Sequence, residues 1–414
     1  MLRILPLEDA QSFITRRAVR LAEAVEIVAP ILEAVRVRGD DAVLEYARKF
    51  DGLEAGALRV SESELSDAAA RVPAEFRAAL ETASRNIREY AQLQLPREVS
   101  VQFHDGRRLG QIVRPIDSMG AYIPAGRYPL PSTVLMTAIP AQVAGVKTIC
   151  VTSPRPSIEI LAAAQFLGVS NVFRVGGAQA IAALAFGTET ISKVDRIVGP
   201  GNIYVTAAKK ALAGEVGIDF IAGPTEIVII AEDANPKHVA ADMLAQAEHD
   251  VEASAILLTT SRTLAERVAQ EVARQLESLP TAPVACQSIQ NHSAVILCSS
   301  MAAAIDASNR LAPEHLALYD DSLLGKIRHA GSVFLGPSSP EAAGDYASGP
   351  NHVLPTAGAA HTRGGLSSAD FVKIISVQQL TADGLARLAP AITTLARAEG
   401  LEAHARSVEV RLGS

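Results

Sequence analysis

Apolar and polar positions recur along this chain with two different periods, and the change between them marks out its parts. Residues 10–95 mix charged and apolar side chains at helical spacing, as in AVEIVAPILEAVRVRGDDAVLEYARKF, and predict helices. From about residue 110, short β-rich runs alternate with Ala-rich helical stretches. The runs are KTICVTS, IEILAAAQFLG, NVFRVGG and AQAIAALAFGT, then VDRIVGPGN, NIYVTAAKKALAG and EIVIIAED. A second series begins near 236 with a helix through ADMLAQAEH, then SAILLTT, LAERVAQEVARQLESL, AVILCSS, MAAAIDASNRL and SVFLG. Such alternation predicts parallel sheets covered by helices, and two series predict two α/β units. Beyond about 366 the pattern is helical again and reads as a small separate piece.

Composition narrows the function classes. A chain of 414 residues is too long for one ordinary core, which agrees with two units. With 49% hydrophobic and 20% charged residues it reads as a soluble globular protein. A net charge of −7 argues against nucleic acid as the main partner, because phosphate binding needs a basic face. No apolar run is long enough to span a bilayer, and MLRILPLEDAQSF reaches acids too early for a signal peptide. Cys150, Cys286 and Cys298 are far apart and read as reduced residues of a cytoplasmic protein. With no Trp and 4% aromatics, the core must be aliphatic.

Histidines carry the candidate chemistry. Four of the nine sit beside acids or amides: His249 in AQAEHD, His315 in LAPEHLAL, His352 in GDYASGPNHVLP and His404 in EGLEAHARS. Histidine, carboxylate and amide together suit a metal site with an acid–base pair. Gln246 and His249, three apart on the expected helix, project from one face and could hold one ion; a solvated helix face is the alternative. Asp345 lies between Gly344 and Gly349-Pro350, in a loop that could aim it and His352 into a cleft, or it could be an Asx-turn residue. Glu314 and His315 precede the apolar LAL and would lie at a strand's end or in its loop, poised for proton transfer; a capped turn is the alternative. GAYIPAGRYPLPST, VGGAQA and GPGN are glycine-rich and could approach phosphate, but none is GxGxxG and ordinary turns give similar runs.

Taken in order, these segments resemble the histidinol dehydrogenase family, from about 110 to His404. The stretches are YIPAGRYPLPSTVLMTAIPAQVAGV, GGAQAIAALAFGT, VDRIVGPGNIYVTAAKK, GPTEIVIIAED, LAQAEHD, NRLAPEHLAL, GDYASGPNHVLPT and EGLEAH. The resemblance implies a zinc enzyme of histidine biosynthesis that oxidises L-histidinol through the aldehyde to L-histidine, with NAD as hydride acceptor, and works as a cytoplasmic, intertwined homodimer. It implies Gln246, His249, Asp345 and His404 as ligands of one zinc ion per subunit, and Glu314 and His315 as the acid–base pair. Thr225, His352 and Glu399 would join the ligands and His315 in holding substrate, and Tyr122, Gln179 and Asn202 would contact NAD. The fold implied is α/β, with two Rossmann-like domains of parallel sheets. Residues 21–115 with 236–366 would form the domain bearing most ligands, 116–235 the NAD domain, 1–20 a helical arm and 367–414 a helical tail supplying a ligand.

Two departures bear on substrate. The family's YIPGG reads YIPAG here, with Ala125 for glycine, and RYPLPS replaces a small-residue stretch. Dehydrogenases of other small alcohols such as sulfopropanediol carry a GRYPL-like stretch and form the main alternative. A zinc hydrolase would use the same ligands with Glu314 activating water, without NAD. A non-catalytic binding protein would not need Glu314 and His315.

Overall fold

The computed structural model describes residues 2–14, 21–53, 57–124 and 128–413. Ala125 and Arg127 of the departing stretch lie outside the described residues. The chain opens on a strand, β1 (Arg3–Pro6), followed by helices at Leu21–Arg38, Asp40–Tyr46, Glu62–Arg71 and Ala74–Leu93. β2 (Val99–Gln102) and β3 (Arg107–Pro115) come next. β4 (Ser118–Tyr122), β5 (Thr148–Thr152), β6 (Asn171–Phe173), β7 (Arg196–Val198) and β8 (Gly217–Ile218) form one parallel sheet in the order β6-β5-β4-β7-β8.

β9 (Glu226–Ile230), β10 (Ser254–Thr259), β11 (Ala294–Leu297), β12 (His315–Leu318) and β13 (Ser332–Leu335) make a second parallel sheet, with β1 at its edge, in the order β1-β11-β10-β9-β12-β13. Numbered within its own sheet, each set of five strands runs 3-2-1-4-5. That is the doubly wound order, so the expected pair of Rossmann-like α/β units is present. β14 (Val372–Leu380) closes a three-stranded antiparallel sheet, β14-β3-β2, and helices Ala382–Ala398 and Glu402–Glu409 end the chain.

Local sequence explains these elements. Central strands are continuous apolar runs such as EIVII because helices cover both faces. The helix Arg262–Leu276 buries Leu264, Ala265, Val268 and Val272 along one stripe, and Ser261 caps it by accepting from Leu264 N–H at 3.2 Å. Helix Gly177–Phe186 is buried on nearly all sides, and its alanines let it lie between the five-stranded sheet and helix Leu21–Arg38.

Packing revises the expected boundaries. Helices between 21 and 93 share their cores with the five-stranded sheet, not with the six-stranded one, so 21–115 does not group with 236–366. Their apolar faces match the sheet that follows them directly in the chain. The run EIVII belongs at the centre of the six-stranded sheet, which moves the junction from 235 to the 219–225 segment. The expected helical arm begins as a strand, because Arg3–Pro6 finds a free neighbour in β11. The tail is not wholly helical either. Val372–Leu380 pairs along its whole length with β3, a partner more than 250 residues earlier that local periodicity cannot reveal. The 341–371 segment bridges the two units: Asn351 donates to Met136 O at 2.6 Å, Asn86 to Ala347 O at 2.8 Å, and Val353, Leu366 and Phe371 enter the first unit's core.

A buried ion pair holds the turn after β7. The side chains of Lys209 and Asp219 are 3% and 0% exposed and contact each other. Lys209 also donates to Gly199 O at 3.1 Å, while Asp219 accepts from Gly199 N–H at 2.8 Å. Gly199 has φ 110°, and a Cβ there would collide with the Tyr122 carbonyl oxygen. Removing one member of such a pair leaves an uncompensated buried charge, a loss of roughly 3–5 kcal/mol. Lys209→Met should therefore lower the thermal unfolding midpoint by several degrees. Arg406→Met, which breaks an exposed pair with Glu402, should leave it nearly unchanged. Equal midpoints for the two variants, read by differential scanning calorimetry, would contradict this.

Candidate active site

The N-terminal edges of β9 and β12 lie side by side, with His315 opposite Ile227. Glu314 is therefore placed just before its strand, beside Thr225 and Glu226, at the strand end where the sequence put it. Glu314 Oε2 accepts from the Thr225 hydroxyl at 2.6 Å and from Glu226 N–H at 2.9 Å. His315 is 3% exposed; its Nδ1 donates to the Glu226 carbonyl at 3.2 Å, and its Nε2 is buried with no hydrogen-bond partner. The ring lies over Phe334, centroids 6.0 Å apart. A Cβ at Gly344 would meet the Phe334 ring at 2.6 Å, so glycine there lets helix Glu341–Tyr346 come in close.

That helix brings Glu341 and Asp345 to the imidazole. Asp345 Oδ1 is 3.7 Å from His315 Nε2, and Glu341 Oε1 and Glu314 Oε2 are each 3.7 Å from Nδ1. His249 Nε2 is 3.9 Å from Asp345 Oδ2. Gln246 is fully buried in the last turn of helix Pro236–Ala247; its amide lies 2.8 Å from the Thr225 hydroxyl and, with nitrogen toward Glu341, 2.5 Å from Oε1. His249 is exposed and sits two residues past the end of that helix, not on its face as spacing suggested. His352 donates from Nδ1 to Asp345 O at 2.8 Å, and its Nε2 accepts from the Thr133 hydroxyl at 3.2 Å.

Burial and charge oppose each other here. Burial pulls the His315 pKa down, but the carboxylates of Glu341, Glu314 and Asp345 outweigh it and raise it well above 6.5. Burial raises both Glu314 and Glu341, against the attraction of His315. Burial would raise Asp345 too, but the neighbouring His315 imidazole, with His352 and His249, brings it below the usual range. Burial lowers His352, which favours the neutral ring its two hydrogen bonds require. Three carboxyl groups crowd one imidazole, with Glu314 and Glu341 holding protons to limit the repulsion, and ligand atoms of His249, Glu341 and Asp345 lie within 4.8 Å of one another. With the Gln246 amide beside them, this donor set suits a divalent cation.

Glu341 is the residue that sequence reading missed. It precedes Asp345 by four, and i, i+4 spacing on one short helix was the available signal. Tyr122, Gln179 and Asn202 lie together on the carboxyl edge of the five-stranded sheet. Tyr122 ends β4, Gln179 is in the first turn after β6, and Asn202 caps helix Ile203–Leu212 after β7, accepting from Tyr204 and Val205 N–H groups. The order of that sheet reverses between β4 and β7, the position where doubly wound sheets bind ligands. Glu399 and His404 are exposed on the tail. Neither is brought to the cluster, and the tail beyond 380 adds no residue to the four described cores.

Glycine-bearing turns at a topological switch point, and a buried acid–imidazole cluster linked to the helix after β4 through His352 and Thr133, define an α/β enzyme built on two parallel sheets. A family model described as histidinol dehydrogenase matches residues 14–412. The chain is 47% identical to the histidinol dehydrogenase of Gluconobacter oxydans (strain 621H), covering 98% of this chain and 96% of the relative. It is 49% identical to that of Geobacillus kaustophilus (strain HTA426), covering 93% of each. Its structure is similar to the crystal structure of histidinol dehydrogenase from Elizabethkingia anophelis, with a TM-score of 0.95 and 40% identity over 100% of this chain and 98% of that one. This chain belongs to the histidinol dehydrogenase family and is an oxidoreductase. Among the described residues no helix is long and apolar enough to cross a membrane.

The raised pKa values of His315 and Glu341 fix the sign of one pH effect. Each proton is held more tightly in the folded than in the unfolded chain, so its stabilisation is full below the unfolded pKa and is lost as pH rises through the folded one. Metal-free protein should lose thermal stability as pH rises from about 4.5, the ordinary value for Glu341, through 6.5, that for His315, and beyond, and Glu341→Gln should flatten that decline. A wild-type midpoint that rises over this range in chelator would overturn the assignment.

Proposed function

We propose that the chain oxidises L-histidinol through L-histidinaldehyde to L-histidine with NAD. The observation that carries this reading is the buried Nε2 of His315, which makes no hydrogen bond and faces Asp345, with Glu314 beside the other ring nitrogen, Nδ1. With Nδ1–H committed to the Glu226 carbonyl, Nε2 is the nitrogen that would accept the substrate hydroxyl proton once a bound cation offsets the carboxylates that hold the ring protonated. Glu314 Oε2 takes the bonds from Thr225 and Glu226, leaving Oε1 to activate the water that converts aldehyde to hydrate. Gln246, His249 and Asp345, completed by His404, would hold one zinc ion. When bound, zinc would supply positive charge that orients the substrate and offsets the carboxylates around His315. NAD, seated against Tyr122, Gln179 and Asn202, would accept a hydride in each of two steps. His352 and Thr225 would help shape the substrate pocket, and Glu399 would reach it from the tail.

Glu314→Gln keeps the shape but removes the base for water. It should slow aldehyde oxidation more than alcohol oxidation, whereas His315→Asn should slow both, each by roughly 100- to 10,000-fold. Stopped-flow NADH formation from each substrate reads the split. Equal, small effects on both half-reactions would reject the roles, and one NADH per histidinol would reject the two-step reaction.

The active site is read as shared between two copies of the chain in a homodimer. Ile374, Ile375 and Val377 of β14 are 54%, 44% and 44% exposed, so both faces of the strand show apolar side chains. Leu395 and Val410 of the tail are 64% and 67% exposed. A second copy would cover them and bring Glu399 and His404 to the first copy's cluster. His249→Ala and His404→Ala, refolded together, should recover about a quarter of wild-type activity, since about half the dimers are mixed and one of their two sites carries neither defect. No recovery in demonstrated mixed dimers would place all ligands in one chain.

A further inference from the structure

Asp51 ends the π-helical turn Ala47–Asp51, far from the sheets in sequence, and is 7% exposed. A single oxygen, Oδ2, accepts from Gly176 N–H at 2.9 Å and from Gln179 Nε2 at 3.1 Å. Gly176 and Gln179 flank the turn after β6, on the carboxyl edge assigned above to the cofactor. The same turn is tied to β4: Gly177 N–H donates to the Tyr122 hydroxyl at 3.2 Å. Gly177 has φ 60°, and a Cβ there would lie 2.7 Å from Gln179 Oε1. The amide nitrogen of Gln179 is thus committed inward, and its oxygen lies over the turn. Rotating the amide would set its oxygen against the Asp51 carboxylate, two acceptors without a proton between them.

We propose that Asp51 is a positioning residue for the nicotinamide cofactor, fixing Gln179 so that Oε1 is the end offered to a cofactor hydroxyl or amide N–H. This rests on the reading that Gln179 faces the cofactor. A carboxylate is suited to the task because one oxygen serves two donors, which locks the amide and the glycine turn together. A leucine at 51 could fill the space but not orient the amide.

The test is NADH affinity of the zinc-loaded protein, measured by fluorescence titration, with zinc content and thermal midpoint determined alongside. Asp51→Leu should weaken NADH at least about tenfold, the scale of a lost bond to a charged group, without changing zinc content. Asp51→Asn, whose amide oxygen can still accept, should stay within about threefold of wild type. Should Asp51→Leu not fold, the pair Gln179→Glu and Asp51→Asn decides. Gln179→Glu alone puts two carboxylates face to face and should lose affinity, and adding Asp51→Asn should restore most of it. A purely structural role does not predict that rescue. Folded Asp51→Leu with wild-type affinity, or no rescue in the double variant, would overturn the proposal. Gln179→Ala with undiminished affinity would instead remove the underlying reading, and the proposal with it.

Discussion

Three carboxyl groups converge on one imidazole at His315, in a place where water can compensate almost none of the charge. Bringing charges there is costly, and the fold spreads the cost over separate elements. Glu314 is held by a backbone amide and a hydroxyl from β9, Glu341 and Asp345 sit one turn apart on a short helix, and His315 is pinned by a carbonyl. The acids can then not be rotated away from the imidazole without undoing a strand end or a helix. Such a cluster adds little to stability on its own and makes sense as prepared electrostatics for chemistry.

The two parallel sheets share a strand order but offer opposite edges to the chemistry. The five-stranded sheet presents its carboxyl ends, where the turns after β4, β6 and β7 come together. The six-stranded sheet presents the amino ends of β9 and β12. The switch-point rule thus locates ligand space in the first unit and not in the second. Contacts across the junction make the arrangement workable: Thr133 meets His352, and Gly223 N–H donates to Thr356 at 2.5 Å. The segment carrying Asp345 and His352 is bonded to both units, so its position depends on how they meet.

Periodicity disclosed the strands and helices of both units because each central strand is an unbroken apolar run with turn residues at its ends. It misassigned what depends on partners distant in sequence. Val372–Leu380 lacks a buried face of its own, and Arg3–Pro6 is too short to declare itself. The early helices carry no mark of which sheet they will cover. Among site residues, Glu314, His315, Asp345 and His352 were visible as polar groups in apolar or glycine-rich settings. Glu341 was not, since an acid at the start of a helix is ordinary, and its spacing of four from Asp345 means something only once both are seen to share a helix. Asp51 was equally silent, because its meaning lies in two donors more than 120 residues away.

β14 is an outer strand of its sheet, and its apolar side chains stand on both faces. One row of its backbone N–H and C=O groups is therefore open to pairing with any extended chain that arrives. Such strands are usually shielded by charge, proline or a bulge; VKIISVQQL has only Lys373. A newly made chain is thus in a race between the cover that suits this ribbon and indiscriminate cross-pairing. Low chain concentration during recovery from denaturant would favour pairing over clumping, since clumping grows with a higher power of concentration than pairing does.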